Sequence, residues 1–168
     1  LYRLHYRIKI LIILYSILAS CCTTRYDGPR KSDVFLEDLV DRFITTCDSH
    51  GLSCSTKERP QIVFGNMPDK TAVGTCQAIG VMGIYIMPLI IVSFVDALNL
   101  SEEEVKQIVY HELIHCYFFI DHNEGPAPHI MRTYTLTLSE IREAGGVEKL
   151  LNDFFYEYKS NKNLFKTL

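Results

Sequence analysis

No apolar run in this 168-residue chain reaches 18 residues, so no segment has the length of a membrane-spanning helix. There is no basic excess either. The 17 lysines and arginines are outnumbered by 20 aspartates and glutamates, which argues against a dedicated nucleic-acid binder. Internal repeats and low-complexity tracts are missing as well. What is present is ordinary globular composition, 48% hydrophobic and 22% charged, enough for one domain with a real core. The six cysteines are more than a cytosolic protein needs.

Residues 1–20, LYRLHYRIKILIILYSILAS, have the layout of an export signal. Arg3, Arg7 and Lys9 form a positive start, a short apolar stretch runs from Ile10 to Ala19, and small residues close it. Leu18-Ala19-Ser20-Cys21 resembles the lipobox of bacterial lipoproteins. That resemblance implies that Cys21 becomes the lipidated first residue of the mature chain. It places the protein in the bacterial cell envelope, anchored to a membrane and facing the periplasm or the exterior. Cleavage would take three of the 17 basic residues and none of the acidic ones, moving the net charge from −3 to −6.

Outside the cytoplasm disulfides are allowed. Cys22, Cys47, Cys54, Cys76 and Cys116 remain after Cys21, an odd set, so at least one is free or modified. Cys47 and Cys54 are close enough to close a short loop, and Cys76 and Cys116 can tie the middle of the chain to a helix further on. Buried free thiols are the alternative, since the sequence does not determine pairing.

Residues 21–32 read as a polar tether, and residues 33–168 as the domain. Ser32 or Asp33 can cap a helix to about Cys47, whose apolar face is Val34, Phe35, Leu36, Leu39, Val40, Phe43 and Ile44. Gln61–Phe64 reads as a strand ended by Gly65-Asn66, and residues 65–75 as a loop. Cys76 to Met87 reads as one or two strands, and the stretch after Pro88 as a short helix or a strand–helix junction. Ser101 and Glu104 form an S-x-x-E capping box for a helix to about Ile120. Residues 133–138 alternate loosely and read as extended. A last helix covers Val147 to Tyr158, with Phe154 and Phe155 packing it onto the core.

His111-Glu112-Leu113-Ile114-His115 is an H-E-x-x-H motif inside the capped helix. Residues four apart lie one above the other on a helix, so the two imidazoles can reach one zinc ion. Glu112 is then placed to act as general base toward a water activated by the metal. A catalytic zinc takes three protein ligands and keeps one open position. The candidates for the third are Asp121, His122, Glu124 and His129.

Residues 111–131, HELIHCYFFIDHNEGPAPHIM, resemble the metzincin superfamily of zinc peptidases, particularly compact matrixin-like members. The resemblance implies a third histidine ligand beyond the helix, read as His122, and a methionine beneath the metal, read as Met131. Two departures accompany it. The family's usual glycines are replaced by Ile114 and Phe118, and its third ligand falls six residues after the second histidine, which is Asp121 here. Some members use aspartate there. A related type of bacterial extracytoplasmic protein with H-E-L-G-H-C has its third histidine at the longer spacing, as His122 does. With His122 on the metal, Asp121 is expected to orient an imidazole. Residues 76–88 read either as the edge strand beside an extended substrate or as an ordinary core strand. Tyr134 reads as a packing residue, with oxyanion stabilisation the alternative. Tyr117, Phe118 and Phe119 are expected to bury the helix rather than line a pocket.

The expectation is therefore an α+β domain in which a small mixed sheet packs on a helix carrying H-E-x-x-H, with a further C-terminal helix. Its expected activity is zinc-dependent hydrolysis of peptide bonds in a protein or peptide substrate. The rival readings are a non-catalytic lipoprotein that binds zinc or a partner on a peptidase-like fold, and an amidase acting on cell-wall peptide.

Overall fold

The computed structural model describes residues 31–67, 72–81, 84–123, 125 and 127–161. The leader at residues 1–20, the lipidation site Cys21, Cys22, the tether up to residue 30 and Glu124 lie outside the described residues.

The described chain is a mixed α+β fold of three strands and five helices. Helix α1 spans Lys31–Ser49. Its core stripe is Leu36, Leu39, Val40, Phe43 and Cys47, all essentially inaccessible to solvent and spaced as one helical face. Val34 departs from the expected face and is 70% exposed, because it lies off that stripe. A one-turn 3-10 helix at Cys54–Thr56 follows, and the Cys47–Cys54 disulfide closes the intervening loop.

Strands β1 (Gln61–Gly65), β2 (Gly74–Val81) and β3 (Ile84–Ser93) form one sheet in the order β1-β3-β2. β1 runs parallel to β3, and β2 runs antiparallel to it, so the sheet is mixed as expected. Pro88 sits inside β3, opposite Ala78. The β1 ladder begins one residue later, at Gln61 opposite Leu89, so the proline nitrogen removes no bond on that side. Ile62, Ile90 and Val92 point into the core, while Val63 on the alternate face is 41% exposed.

The stretch after Pro88 is a strand–helix junction: β3 runs to Ser93 and the short helix α2 (Phe94–Ala97) follows at once. Helix α3 (Glu102–Phe118) is the centre of the molecule and packs against α1, β2, β3 and both later helices. Ser101 and Glu104 form the expected capping box: the Glu104 N–H donates to Ser101 Oγ at 3.3 Å, and the Ser101 N–H to Glu104 Oε2 at 2.8 Å. Lys57 closes the other end, donating from Nζ to the Tyr117 carbonyl at 2.6 Å and lying 4.7 Å from the Phe118 ring centre. Tyr117 and Phe118 are buried, as expected, whereas Phe119 is 70% exposed.

Residues 133–138 do not form a strand. Thr137 instead caps helix α4 (Leu138–Glu143) through a second capping box with Glu140. The T-x-x-E pattern at 137–140 turns the chain helical from Leu138, the last residue of that stretch, while Thr137 itself is extended. Helix α5 (Val147–Ser160) follows. Phe154 and Phe155 are fully buried, with Phe155 edge-on to Phe43 at 5.4 Å.

A second disulfide, Cys76–Cys116, ties β2 to α3. Both pairings are among those weighed from the sequence. By the chain-entropy estimate, closing loops of these lengths stabilises by about 2 kcal/mol for the short one and about 4 kcal/mol for the long one.

Candidate metal centre

Among the described residues the buried polar side chains are Ser93, Gln107, His111 and Glu112. Three of the four lie within two turns of α3, in a helix otherwise packed on nearly every side. Burying such groups costs free energy unless they are answered by partners.

His111 and His115 lie one helical turn apart on α3, and His122 comes from the chain beyond it. Their Nε2 atoms form a near-equilateral triangle. His111 to His115 is 3.0 Å, and His122 is 3.2 Å from each. The Nδ1 atom of His111 lies 2.8 Å from the Ile130 carbonyl oxygen, and that of His115 lies 2.6 Å from the Ile120 carbonyl oxygen. A carbonyl only accepts, so both Nδ1 atoms carry the proton and both Nε2 atoms are bare lone pairs. Two lone pairs facing each other at 3.0 Å repel unless a cation lies between them. The donor set therefore fits a metal ion, and the spacing is close to that of ligands about 2.0–2.1 Å from one shared ion. Burial reinforces the same protonation state. It pushes the His111 pKa down to about 3, partly opposed by the Ile130 carbonyl, and lowers that of His115.

The three histidines are the described group that could hold a metal. They form a gradient from buried His111 through half-buried His115 to exposed His122, so one side is open to solvent. Asp121 is exposed and lies outside the group. The orienting partners of His111 and His115 are backbone carbonyls, where the sequence suggested Asp121. His129 is engaged elsewhere: its Nδ1 accepts from the Met131 N–H at 3.1 Å, and its Nε2 lies 3.4 Å from Glu157 on α5.

Met131 is fully buried, and its turn organises the site from below. The preceding carbonyl, of Ile130, receives His111 and also Gln107, whose Nε2 donates at 3.3 Å. Met131's own carbonyl accepts from the Asn123 N–H at 2.6 Å, fixing the backbone beside His122.

The phase of the turn explains the longer spacing to His122. In the metzincin pattern that residues 111–131 resemble, the turn glycine would fall at Phe118, but Phe118 is still helical. The left-handed residue that ends α3 is Phe119, at φ 54°, and its N–H donates to the His115 carbonyl. The turn comes one residue late and the ligand comes one residue late with it. A phenylalanine in that conformation costs roughly 1 kcal/mol. Phe119→Gly is therefore expected to raise unfolding free energy by up to about 1 kcal/mol, reduced by the extra freedom glycine gives the unfolded chain. Urea denaturation checks this, and a loss of stability would show that the exposed ring makes a needed contact.

Glu112 faces the sheet. Its carboxyl accepts a hydrogen bond from the Cys76 backbone N–H, and burial outweighs that bond to push its pKa up to about 7. Gly74 makes the approach possible. A Cβ there would meet Ile108 Cγ2 at 2.8 Å and Glu112 Cγ at 2.9 Å. Sequence reading placed Gly74 in a loop and missed it. Only its position opposite the helix, at the start of β2, reveals the constraint.

A cleft of about 560 Å³ joins these parts, between β2 on one wall and residues 132–135 on the other. β2 is an edge strand of the sheet among the described residues. Val73 bonds β3 through its carbonyl to the Ser93 N–H. By alternation, the backbone groups of Gly74 and Cys76 face away from β3, consistent with the Cys76 N–H reaching Glu112. Tyr134 is 48% exposed at the cleft, and its hydroxyl donates to Glu140 Oε1 at 3.3 Å.

The chain matches no protein-family model, no curated protein and no solved structure.

Proposed function

We propose that this protein is a zinc-dependent endopeptidase, and the observation that carries the reading is the triangle of Nε2 atoms, those of His111 and His115 bare lone pairs, lining one cleft with the buried carboxyl of Glu112. His111, His115 and His122 would hold zinc, which supplies a Lewis acid to polarise a peptide carbonyl and to acidify a water. Glu112 takes the proton of the attacking water on its carboxylate and passes it to the nitrogen of the leaving amine. Its raised pKa suits it to both halves of that transfer near neutral pH. The Cys76 N–H keeps the carboxylate in place, and Gly74 leaves room for it. The outward backbone groups of β2 offer an extended peptide main-chain pairing, which holds a substrate without demanding a particular sequence.

Two disulfides fit an oxidising compartment and so support the envelope reading, with Cys21 as the lipid anchor. The test is direct. The chain from residue 22 onward, produced in an oxidising compartment, is expected to bind about one zinc per molecule and to cleave unfolded protein or a peptide mixture. Chelation should stop cleavage, and added zinc should restore it. A zinc-loaded, folded chain that cleaves neither protein nor cell-wall peptide would leave a metal-binding lipoprotein in its place.

A further inference from the structure

The cleft wall opposite β2 carries an arginine that forms no ion pair among the described residues. Arg132 is half-buried and lines the cleft, and its backbone N–H is fixed to the His129 carbonyl at 3.2 Å. Among the described residues no carboxylate forms an ion pair with its guanidinium, although the Arg132 charge is felt by Glu140, whose carboxyl is lowered chiefly by its Thr137 hydrogen bonds. The buried Nε of Arg132 has no hydrogen-bond partner. The guanidinium carbon lies 5.5 Å from the Tyr134 ring centre, a contact that orients the fork without neutralising it. The neighbouring acid, Glu140, is already engaged by Tyr134, by the Thr137 N–H at 2.8 Å and by Thr137 Oγ1 at 2.7 Å. The same cleft holds a second unanswered atom, Gln107 Oε1, in a side chain that is 1% exposed.

A partly desolvated guanidinium with open donors costs free energy in the free protein, and a planar carboxylate answers it in a bidentate way. The acidic group in the cleft, Glu112, lies on the opposite, sheet-facing side and is held by Cys76. We propose that Arg132 is the specificity-determining residue of the cleft and selects substrates that present a carboxylate beside the scissile bond. This rests on the peptidase reading above. The carboxylate has two possible sources, an Asp or Glu side chain and a free C-terminus.

The experiment uses the zinc-loaded chain and a set of quenched fluorogenic peptides that differ only by Glu, Gln or Lys at each position flanking the cleaved bond. Each is made with a free and with an amidated C-terminus. Wild type is expected to favour Glu over Gln at one flanking position by about tenfold or more in kcat/KM. In Arg132→Gln that ratio should fall to near one, and in Arg132→Glu it should invert toward Lys. Because each ratio compares two peptides on one protein sample, partial misfolding cancels. A preference that follows the free C-terminus instead assigns the carboxylate to the chain end. No carboxylate preference in wild type, or one that survives in Arg132→Gln, overturns the proposal. If no peptide is cleaved at all, the same peptides are titrated by fluorescence anisotropy. Glu-over-Gln discrimination that Arg132→Gln abolishes would then uphold Arg132 and reject only the hydrolysis. Equal binding would reject Arg132 as well.

Discussion

Glu112→Gln is expected to retain zinc at wild-type stoichiometry and to lose peptide hydrolysis by a factor of about a thousand, within the usual range for removing a general acid–base group. The substitution keeps the shape of the side chain, and its amide oxygen can still accept from the Cys76 N–H. The three histidine nitrogens and their carbonyl partners at Ile130 and Ile120 are left in place. What changes is that an amide cannot take a proton from water and return it to an amine. Burial of an uncharged amide also avoids the desolvation that pushes the Glu112 carboxyl upward, so the variant should fold at least as stably as wild type. Metal analysis, denaturation and single-turnover cleavage on one sample separate these effects. Undiminished cleavage by a variant with full zinc would reject Glu112 as the proton carrier.

His122→Ala is expected to weaken zinc binding by a factor of about a hundred or more, above the effect of losing an outer partner of a ligand. Asp121→Asn should change it by less than about tenfold. His122 is exposed, so its removal opens no core cavity, and the metal-free forms of variant and wild type should unfold alike. With zinc supplied at about a thousand times its dissociation constant, wild type should gain about 4 kcal/mol over its chelated form. The variant should gain much less. Acid acts in the same direction. His111 and His115 are held neutral in the fold, with pKa values below the ordinary 6.5, while the unfolded chain takes up protons there. Glu112, raised from 4.5 to about 7, works in the opposite sense between those values, so the stability of the chelated protein is expected to fall most clearly from about 4.5 down toward the depressed value for His111. Competition titration with a zinc indicator and thermal unfolding at several pH values check both statements. Tight zinc binding in His122→Ala together with its loss in Asp121→Asn would move the third ligand to Asp121.

Much of this site is legible in the chain because the relevant order is local. The i, i+4 spacing of His111 and His115 has one geometric meaning on a helix, and the Ser101–Glu104 box says where that helix starts. The α1 face is readable for the same reason, from Leu36 to Cys47 at helical period. Local patterns also mislead when two of them overlap. The alternation over 133–138 suggested extended chain, which holds at Thr137, while the Thr137–Glu140 box, equally local, turns the chain helical from Leu138. Phe119 shows a subtler limit. A turn without glycine gives no signal of where the chain reverses, so the one-residue delay that carries His122 to the metal group is invisible until the backbone is traced.

By itself the sequence determined that helix α3 carries two histidines and a glutamate on adjoining faces, that two cysteine pairs lay within reach of bonding, and that several side chains competed for the third position. Tertiary structure decided which of them arrives. It brought His122 within 3.2 Å of both helix histidines, aimed the Ile130 and Ile120 carbonyls at the two Nδ1 atoms, and laid Gly74 and the Cys76 N–H against Glu112. It also left the buried Nε of Arg132, on the facing wall, without a hydrogen-bond partner among the described residues. The physical reason is the range of the forces involved. Periodicity and capping act within a turn or two of chain, whereas ligation, desolvation and charge pairing depend on which distant segments the core brings together.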